Sequence, residues 1–452
     1  MNTPPKPTNP ITRSNALFLT LAGAVGAGIG ALLFALIERA ADTPLRVIHE
    51  TYPWLPPLII PAMLFLILWL RDRYFIGTDG TGIPQTIAAL RIGPGEDRDR
   101  LLSIRVAGGK ILLTALGLIS FLSIGREGPS VQLGACCMHS LSRLRGVPQH
   151  LVDRGLILAG GAAGIAAAFN APIAGIVFAM EEIGRSFDKR NMGVIVRTVI
   201  IACVLCAIGM GNGYFYGDLD QGRSPMLIEG WKPWIAVLII GVVGGFLGGA
   251  FSKLLLLTMP VVSALIRKHK LLTALGIGAA IAAIGIASDG QSYGSGYAQA
   301  KALVSEGSPV FFESLPSEIQ EELLHLREGI TPLYPAYRAS ASFLVLLTAI
   351  PGGLFDPSFS VGAGLGATTY PFLSWTGIEL QAVLLLFIAS YFSGVVQSPM
   401  TSFIILLEMT GVLLFSLPLA TAAIIGYSVS KWICRDALYE SLAENFIDRR
   451  NL

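Results

Sequence analysis

Eleven apolar runs organise this chain, near 16–37, 55–70, 109–124, 155–183, 193–210, 231–258, 271–287, 339–350, 379–396, 399–408 and 413–433. Its 51 glycines and 26 prolines cluster inside these runs instead of between them. A straight helical crossing of a bilayer core needs about 20 apolar residues, and several runs are shorter. A helix broken at membrane depth persists only where protein buries the break or the break lines a polar cavity. The pattern therefore predicts an all-α, polytopic membrane protein whose discontinuous helices surround an internal pathway. Composition agrees: of 452 residues, 53% are hydrophobic and 14% charged, where a soluble domain carries about a quarter charged.

The first run, Ala16 to Leu36, is too long for a signal-peptide core and reads as a first spanning helix. Lys6 and Arg13 precede it, and Lys431, Arg435, Arg449 and Arg450 follow the last run. The positive-inside rule then places both termini in the cytoplasm. A net charge of +2 gives no reason to expect a nucleic-acid partner. Cys136, Cys137, Cys203, Cys206 and Cys434 lack disulfide-framework or zinc spacing and read as small buried hydrophobes. The histidines at 49, 139, 150, 269 and 325 are scattered, and no HExxH or Walker A pattern occurs. No metal, cofactor or enzymatic nucleophile–base pair is expected.

Three motif pairs recur in the same order. GREGPSVQLGA from Gly125 matches GLFDPSFSVGA from Gly353. FNAPIAGIVFAMEEIG from Phe169 matches VQSPMTSFIILLEMTG from Val396, setting Pro172 against Pro399 and Glu181 against Glu408. GTGIPQTIA from Gly80 matches GSGYAQAKA from Gly294. The chain reads as two homologous halves, 1–220 and 221–452. The second half is about fourteen residues longer between its first two motifs, and the excess falls in a polar stretch, 304–338. There Ile319, Leu323, Leu324 and Leu326 recur at helical spacing among acids, which predicts an extramembrane loop with a short amphipathic helix. Duplicated halves with breaks in matching places are the pattern of a transporter.

Each motif joins permissive glycines to a proline that favours a first helical turn. The start of such a helix exposes unpaired N–H groups and the positive end of the helix dipole, so it suits an anion. Thr81 adds a hydroxyl donor. A single cluster of this kind is as well explained by close helix packing; the duplication together with an embedded Glu127 favours anion sites. Glu127 would itself be an anion on an anion site, releasing it when protonated. Arg126 beside it reads as a structural partner for carbonyls or carboxylates.

GTGIP (80–84), GREGP (125–129), GGLFDP (352–357), the stretch 161–182 and ALYESL around Tyr439 resemble the signature regions of the CLC family of chloride channels and chloride/proton exchangers. The resemblance implies an inverted repeat of tilted helices and a homodimer in lipid with one anion pathway per subunit. It puts Thr81, Leu354, Phe355 and Tyr439 on chloride, and Gly80, Gly82, Pro84, Gly125, Arg126, Gly128 and Pro129 in the motif backbone. Glu127 becomes the gating carboxylate and Glu182 the inner proton relay. Thr81 stands where the family commonly has serine. Asp356 stands where members often carry an uncharged residue, and is expected to face a vestibule or cap a helix. The end of the chain soon after Tyr439 implies a prokaryotic type without paired CBS domains, in the plasma membrane.

Glu181 and Glu182 point about 100° apart on an α-helix. Glu181 lies four residues before Arg185, the favourable order for an ion pair, which leaves Glu182 free for protons. With Glu127 and Glu182 both present, the resemblance implies a chloride/proton antiporter, a secondary active transporter and not an enzyme. A passive chloride channel remains the alternative, as does an exchanger of nitrate or fluoride, against which the Thr81 hydroxyl argues.

Overall fold

The computed structural model describes residues 13–448 except 145–146, 148, 187–188, 212, 218, 220–227, 229, 307–316, 318–319, 322–323 and 325–328. The regular elements among the described residues are helices: α1 (Arg13–Thr51), α2 (Pro56–Tyr74), α3 (Ile83–Ile92), α4 (Glu96–Leu101), α5 (Ile104–Leu118), α6 (Glu127–Ser140), α7 (Leu156–Phe169), α8 (Pro172–Phe178) and α9 (Met192–Met210). There follow α10 (Lys232–Ala287), α11 (Tyr297–Glu306), α12 (Tyr334–Leu347), α13 (Phe355–Leu373), α14 (Leu380–Val396), α15 (Pro399–Thr410), α16 (Ser416–Ile433) and α17 (Leu438–Asp448). Among the described residues, six helical stretches are long and apolar enough to cross a membrane. The predicted amphipathic helix falls mostly outside the described residues; of its four apolar positions only Leu324 is described, helical and exposed.

The breaks lie where the sequence weakens helices. The run 155–183 ends α7 at Asn170, which turns left-handed with φ 51°, and restarts at Pro172. α10 unites two runs but is kinked at His269, whose φ of −137° and ψ of 56° are not helical. After α8 the chain widens into a π-helical turn over Ala179–Ile183. The cysteines are free, four of the five buried.

Two helices form the cores. Every residue of α7 is buried, as is every residue of α14 from Gln381 onward; a helix apolar all round belongs inside. α7 is wrapped by α1, α6 and α9, and α14 by α10, α13 and α16. Between apolar surfaces in a membrane, small residues that let backbones approach closely supply the association. At the α6–α7 crossing a Cβ on Gly160 would collide with the Gly134 carbonyl, and a Cβ on Gly134 with that of Gly160.

A second device locks the halves together. Pro172 opens α8 and Pro399 opens α15, leaving the next two amides of each as the first donors. Glu408, near the end of α15, accepts from the amides of Ile173 (3.0 Å) and Ala174 (2.6 Å) of α8. Glu181, just past α8, accepts from the amides of Met400 (2.9 Å) and Thr401 (2.7 Å) of α15, and from the Thr401 hydroxyl (2.7 Å). α15, and the turn that follows α8, thus each carry the acid that caps the start of the other helix, and charge-assisted bonds of this kind are the stronger class.

Gly160→Val should lower the melting temperature in detergent, because overpacking against backbone costs about 1–3 kcal/mol. Gly108→Ala in α5, with nothing within 4 Å of the added Cβ, should leave it unchanged or raise it slightly. Removing either cap by Glu181→Ala or Glu408→Ala should cost about 0.5–2 kcal/mol, read as a lower melting temperature, with glutamine at either position milder than alanine.

Candidate functional site

Three buried helix starts receive no such cap. α3, α6 and α13 each begin without a side-chain acceptor on their first turn, and the segments that lead into them meet. Gly125 and Gly353 form an antiparallel bridge, Gly125 N to Gly353 O at 2.9 Å and Gly353 N to Gly125 O at 2.5 Å. That bridge sets the starts of α6 and α13 side by side. The loop into α3 lies on α6, with the Gly128 backbone against Thr81.

Buried cations fix these loops by their carbonyls. Lys110 of α5, fully buried, donates to Thr78 O (2.8 Å) and Gly80 O (2.7 Å). Arg338 of α12, also fully buried, donates to Gly294 O (2.7 Å), Tyr293 O (3.1 Å) and Gln291 O. Gly80 and Gly294 are duplicates, and Lys110 and Arg338 stand at the same interval before Gly125 and Gly353. Sequence reasoning passed over both, although a lysine inside an apolar run is itself a signal. Arg126 carries its charge to Glu38 (Nε–Oε2 3.1 Å) and to Ala168 O (3.2 Å). It is the structural partner expected of it, and it does not pair with Glu127.

Thr81, Leu354 and Tyr439 line one cavity of about 330 Å³, together with Gly80, Pro84 and Phe446. Thr81 is 5% exposed and Tyr439 0%, and neither hydroxyl has a hydrogen-bond partner among the described residues. Phe355, the first residue of α13, commits its ring to Phe169 (6.0 Å, stacked), Phe178 (5.9 Å) and Phe392 (4.5 Å). What it presents at the site is its backbone. A second cavity, about 500 Å³, is lined by Glu38, Arg39, Arg126, Asn170, Tyr297 and Lys301. Glu127 lines neither cavity and is fully buried. Its carboxylate lies over the bridge, where a Cβ on Gly125 or Gly353 would strike it. Neither carboxylate oxygen has a partner.

Asp356 departs from expectation. It neither faces a vestibule nor caps a helix: Leu354 is the N-cap, and Asp356 sits inside the buried first turn of α13, 0% exposed. Its carboxyl comes within hydrogen-bonding reach of Glu127.

Glu182 lies apart from this cluster. It is buried and accepts from the Ser398 hydroxyl at the start of α15 (2.6 Å). Tyr439 lies within electrostatic reach of both Glu182 and Glu127. The expected Glu181–Arg185 pair is absent. The π-helical turn breaks the four-residue register, and Arg185, at φ 46°, has left the helix. Glu181 caps α15 instead, while Arg185 approaches Glu182 at 3.9 Å and pairs with Glu440. Glu440 also holds Arg91 of α3 (2.5 Å), so an ion-pair cluster seats Tyr439, its neighbour. Nothing in the sequence pattern singled out Glu440.

Uncapped amides with two idle hydroxyls put donors at one place in the cavity wall, which suits a small anion there. Among the described residues no three His, Cys, Asp or Glu side chains group as a metal site.

The chain is 26% identical over 439 residues to the H(+)/Cl(-) exchange transporter ClcA of Vibrio parahaemolyticus, covering 94% of this chain and 88% of that one. It is 29% identical over 273 residues to the chloride channel protein CLC-d of Arabidopsis thaliana, covering 53% of this chain and 34% of that one. Its fold superposes with TM-score 0.76 on the crystal structure of a slow cyanobacterial Cl-/H+ antiporter, at 21% identity and with 96% and 99% of the two chains covered. With a CLC-type fluoride/proton antiporter the TM-score is 0.71, also at 21% identity, covering 95% and 98%. The family described as voltage gated chloride channel matches residues 63–431, and the chain belongs to that family.

Proposed function

We propose that this protein is a secondary active transporter that exchanges chloride for protons across a membrane. The observation that carries the reading is a carboxylate, Glu127, resting at uncapped helix starts beside the buried, unpartnered hydroxyls of Thr81 and Tyr439. The relatives named as H(+)/Cl(-) exchange transporters support the choice of ions. Chloride occupies the cavity lined by Thr81, Leu354 and Tyr439, with the first amides of α13 as donors.

Glu127 competes with chloride for the same positive ends. Ionised, it is drawn to those positive ends and closes the layer between the two cavities; protonated, it loses that attraction and swings away. One carboxylate thereby ties anion occupancy of the site to uptake of a proton. Glu182, buried beside Ser398, relays the proton to the other face. The passive channel remains the rival, and measured proton flux separates the two.

The two halves, with both termini in the cytoplasm of a prokaryotic plasma membrane, and a homodimer in lipid belong to the same proposal. α8, α9, α15 and α16 adjoin one another and expose Ile173, Met400, Val204, Ile208, Leu417 and Ile424, an apolar face that a second copy would cover.

In liposomes carrying a chloride gradient, the protein should drive protons uphill. Glu127→Gln should abolish that movement while anions still pass; a variant that goes on pumping protons overturns the reading. In chloride-free detergent, Thr81→Val and Tyr439→Phe should leave the melting temperature unchanged or raised, since each removes a hydroxyl that bonds nothing in the protein. Both variants should lose part of the stabilisation that added chloride gives the parent protein by mass action.

A further inference from the structure

The proposal that Glu127 handles the transported proton leaves its neighbour unexplained. Asp356 is fully buried in the first turn of α13, and Glu127 is fully buried in the first turn of α6. The Gly125–Gly353 bridge sets those two turns side by side. The carboxyls lie within hydrogen-bonding reach of each other, and none of their four oxygens finds a donor among the described residues. Two carboxylates so close in a dry site cannot both stay ionised at ordinary cost. One proton between them supplies the donor that both lack. We propose that Asp356 and Glu127 form a carboxyl–carboxylate pair sharing one proton in the layer between the two cavities, which makes Asp356 a second proton-handling residue of the exchange.

The surroundings favour this over two separate ions. Arg126, from α6, is the cation facing the pair, and it is engaged by Glu38 of α1 at 3.1 Å and by Ala168 O. Its one positive charge therefore stands against three acids. Tyr216, ahead of α10, is fully buried with an unpartnered hydroxyl and faces both carboxyls. Tyr297 of α11 gives its hydroxyl to Phe215 O (2.8 Å), and Tyr334 of α12 shares its own with Ser360. Tyr439 of α17 lies on the far side, near Glu127. None of these brings a further positive charge. Both first turns favour an anion, α6 at Glu127 and α13 at Asp356; with the site closed, the proton sits on Asp356 and is donated to the Glu127 carboxylate. When it settles on Glu127, one O–H bond forming as the Asp356 O–H breaks, Glu127 swings out and carries it away.

The consequence has a definite sign. The pair can lose its one proton only by becoming two adjacent anions, so it holds that proton to higher pH than a lone carboxyl would. Asp356→Asn removes one of the two acids at nearly constant shape. The pair's extra hold on the proton is then lost, and the pH profile of chloride flux should move to lower pH by about one unit or more. Loss of a negative charge beside the anion site should also tighten chloride binding.

The inference rests on the exchange reading, and the experiment separates their failures. Chloride efflux and proton uptake are recorded across pH in liposomes bearing the parent protein, Asp356→Asn or Glu127→Gln. Uphill proton movement that persists in Glu127→Gln overturns the exchange reading itself. Coupling lost in Glu127→Gln, with an Asp356→Asn profile unmoved from the parent's, keeps exchange and overturns the shared proton. A profile displaced to lower pH supports it. Should Asp356→Asn fail to transport, calorimetric titration of chloride into detergent-solubilised Asp356→Asn and Asp356→Ala across pH reads the same midpoint. A midpoint equal to the parent's there overturns the proposal.

Discussion

The start of a helix leaves backbone amides with nothing in the helix to donate to, and the starts of α3, α6, α8, α13 and α15 resolve this in two ways. How each start is resolved decides what the molecule can do. At α8 and α15 glutamates from each other's far ends fill the need, and those starts are purely structural. At α3, α6 and α13 no side chain is supplied. There the positive ends stay available, with Glu127 folded over two of them. The division between scaffold and site is thus a division between capped and uncapped helices, built from the same Gly/Pro vocabulary.

Leaving amides free requires that the neighbouring carbonyls be dealt with, or the site would repel what it attracts. Lys110 and Arg338 do this. Each is buried and spends its donors on the carbonyls of a glycine loop. The cations therefore act through the backbone, turning one polarity of the peptide outward and away. The anion would meet partial charges on amides and hydroxyls instead of a full ammonium, which allows release as well as capture.

Much of this was legible in the sequence. The motif pairs announced the helix breaks. GTGIP, GREGP and GLFDP named the loops that converge, and Thr81 and Tyr439, which the motifs picked out, line one cavity. What stayed hidden depended on local geometry or on contacts far apart in sequence. An i, i+4 argument paired Glu181 with Arg185, but a single π-helical turn erased that register. Glu408, the duplicate, was visible as a repeat; that the two acids cap each other's helices follows only from packing across more than 200 residues. Glu440 sits beside a motif tyrosine and carries no pattern of its own. Asp356 was noticed as a departure, yet its place in a fully buried turn could not be read from the chain.

The crossed caps also bear on how the protein is made. The amides at 173 and 174 are synthesised long before residue 408 emerges from the ribosome. In the interval the start of α8 must find water, lipid headgroups or a helper protein at the insertion machinery. The first half alone is therefore an unfinished object, and its completion is timed by translation of the second.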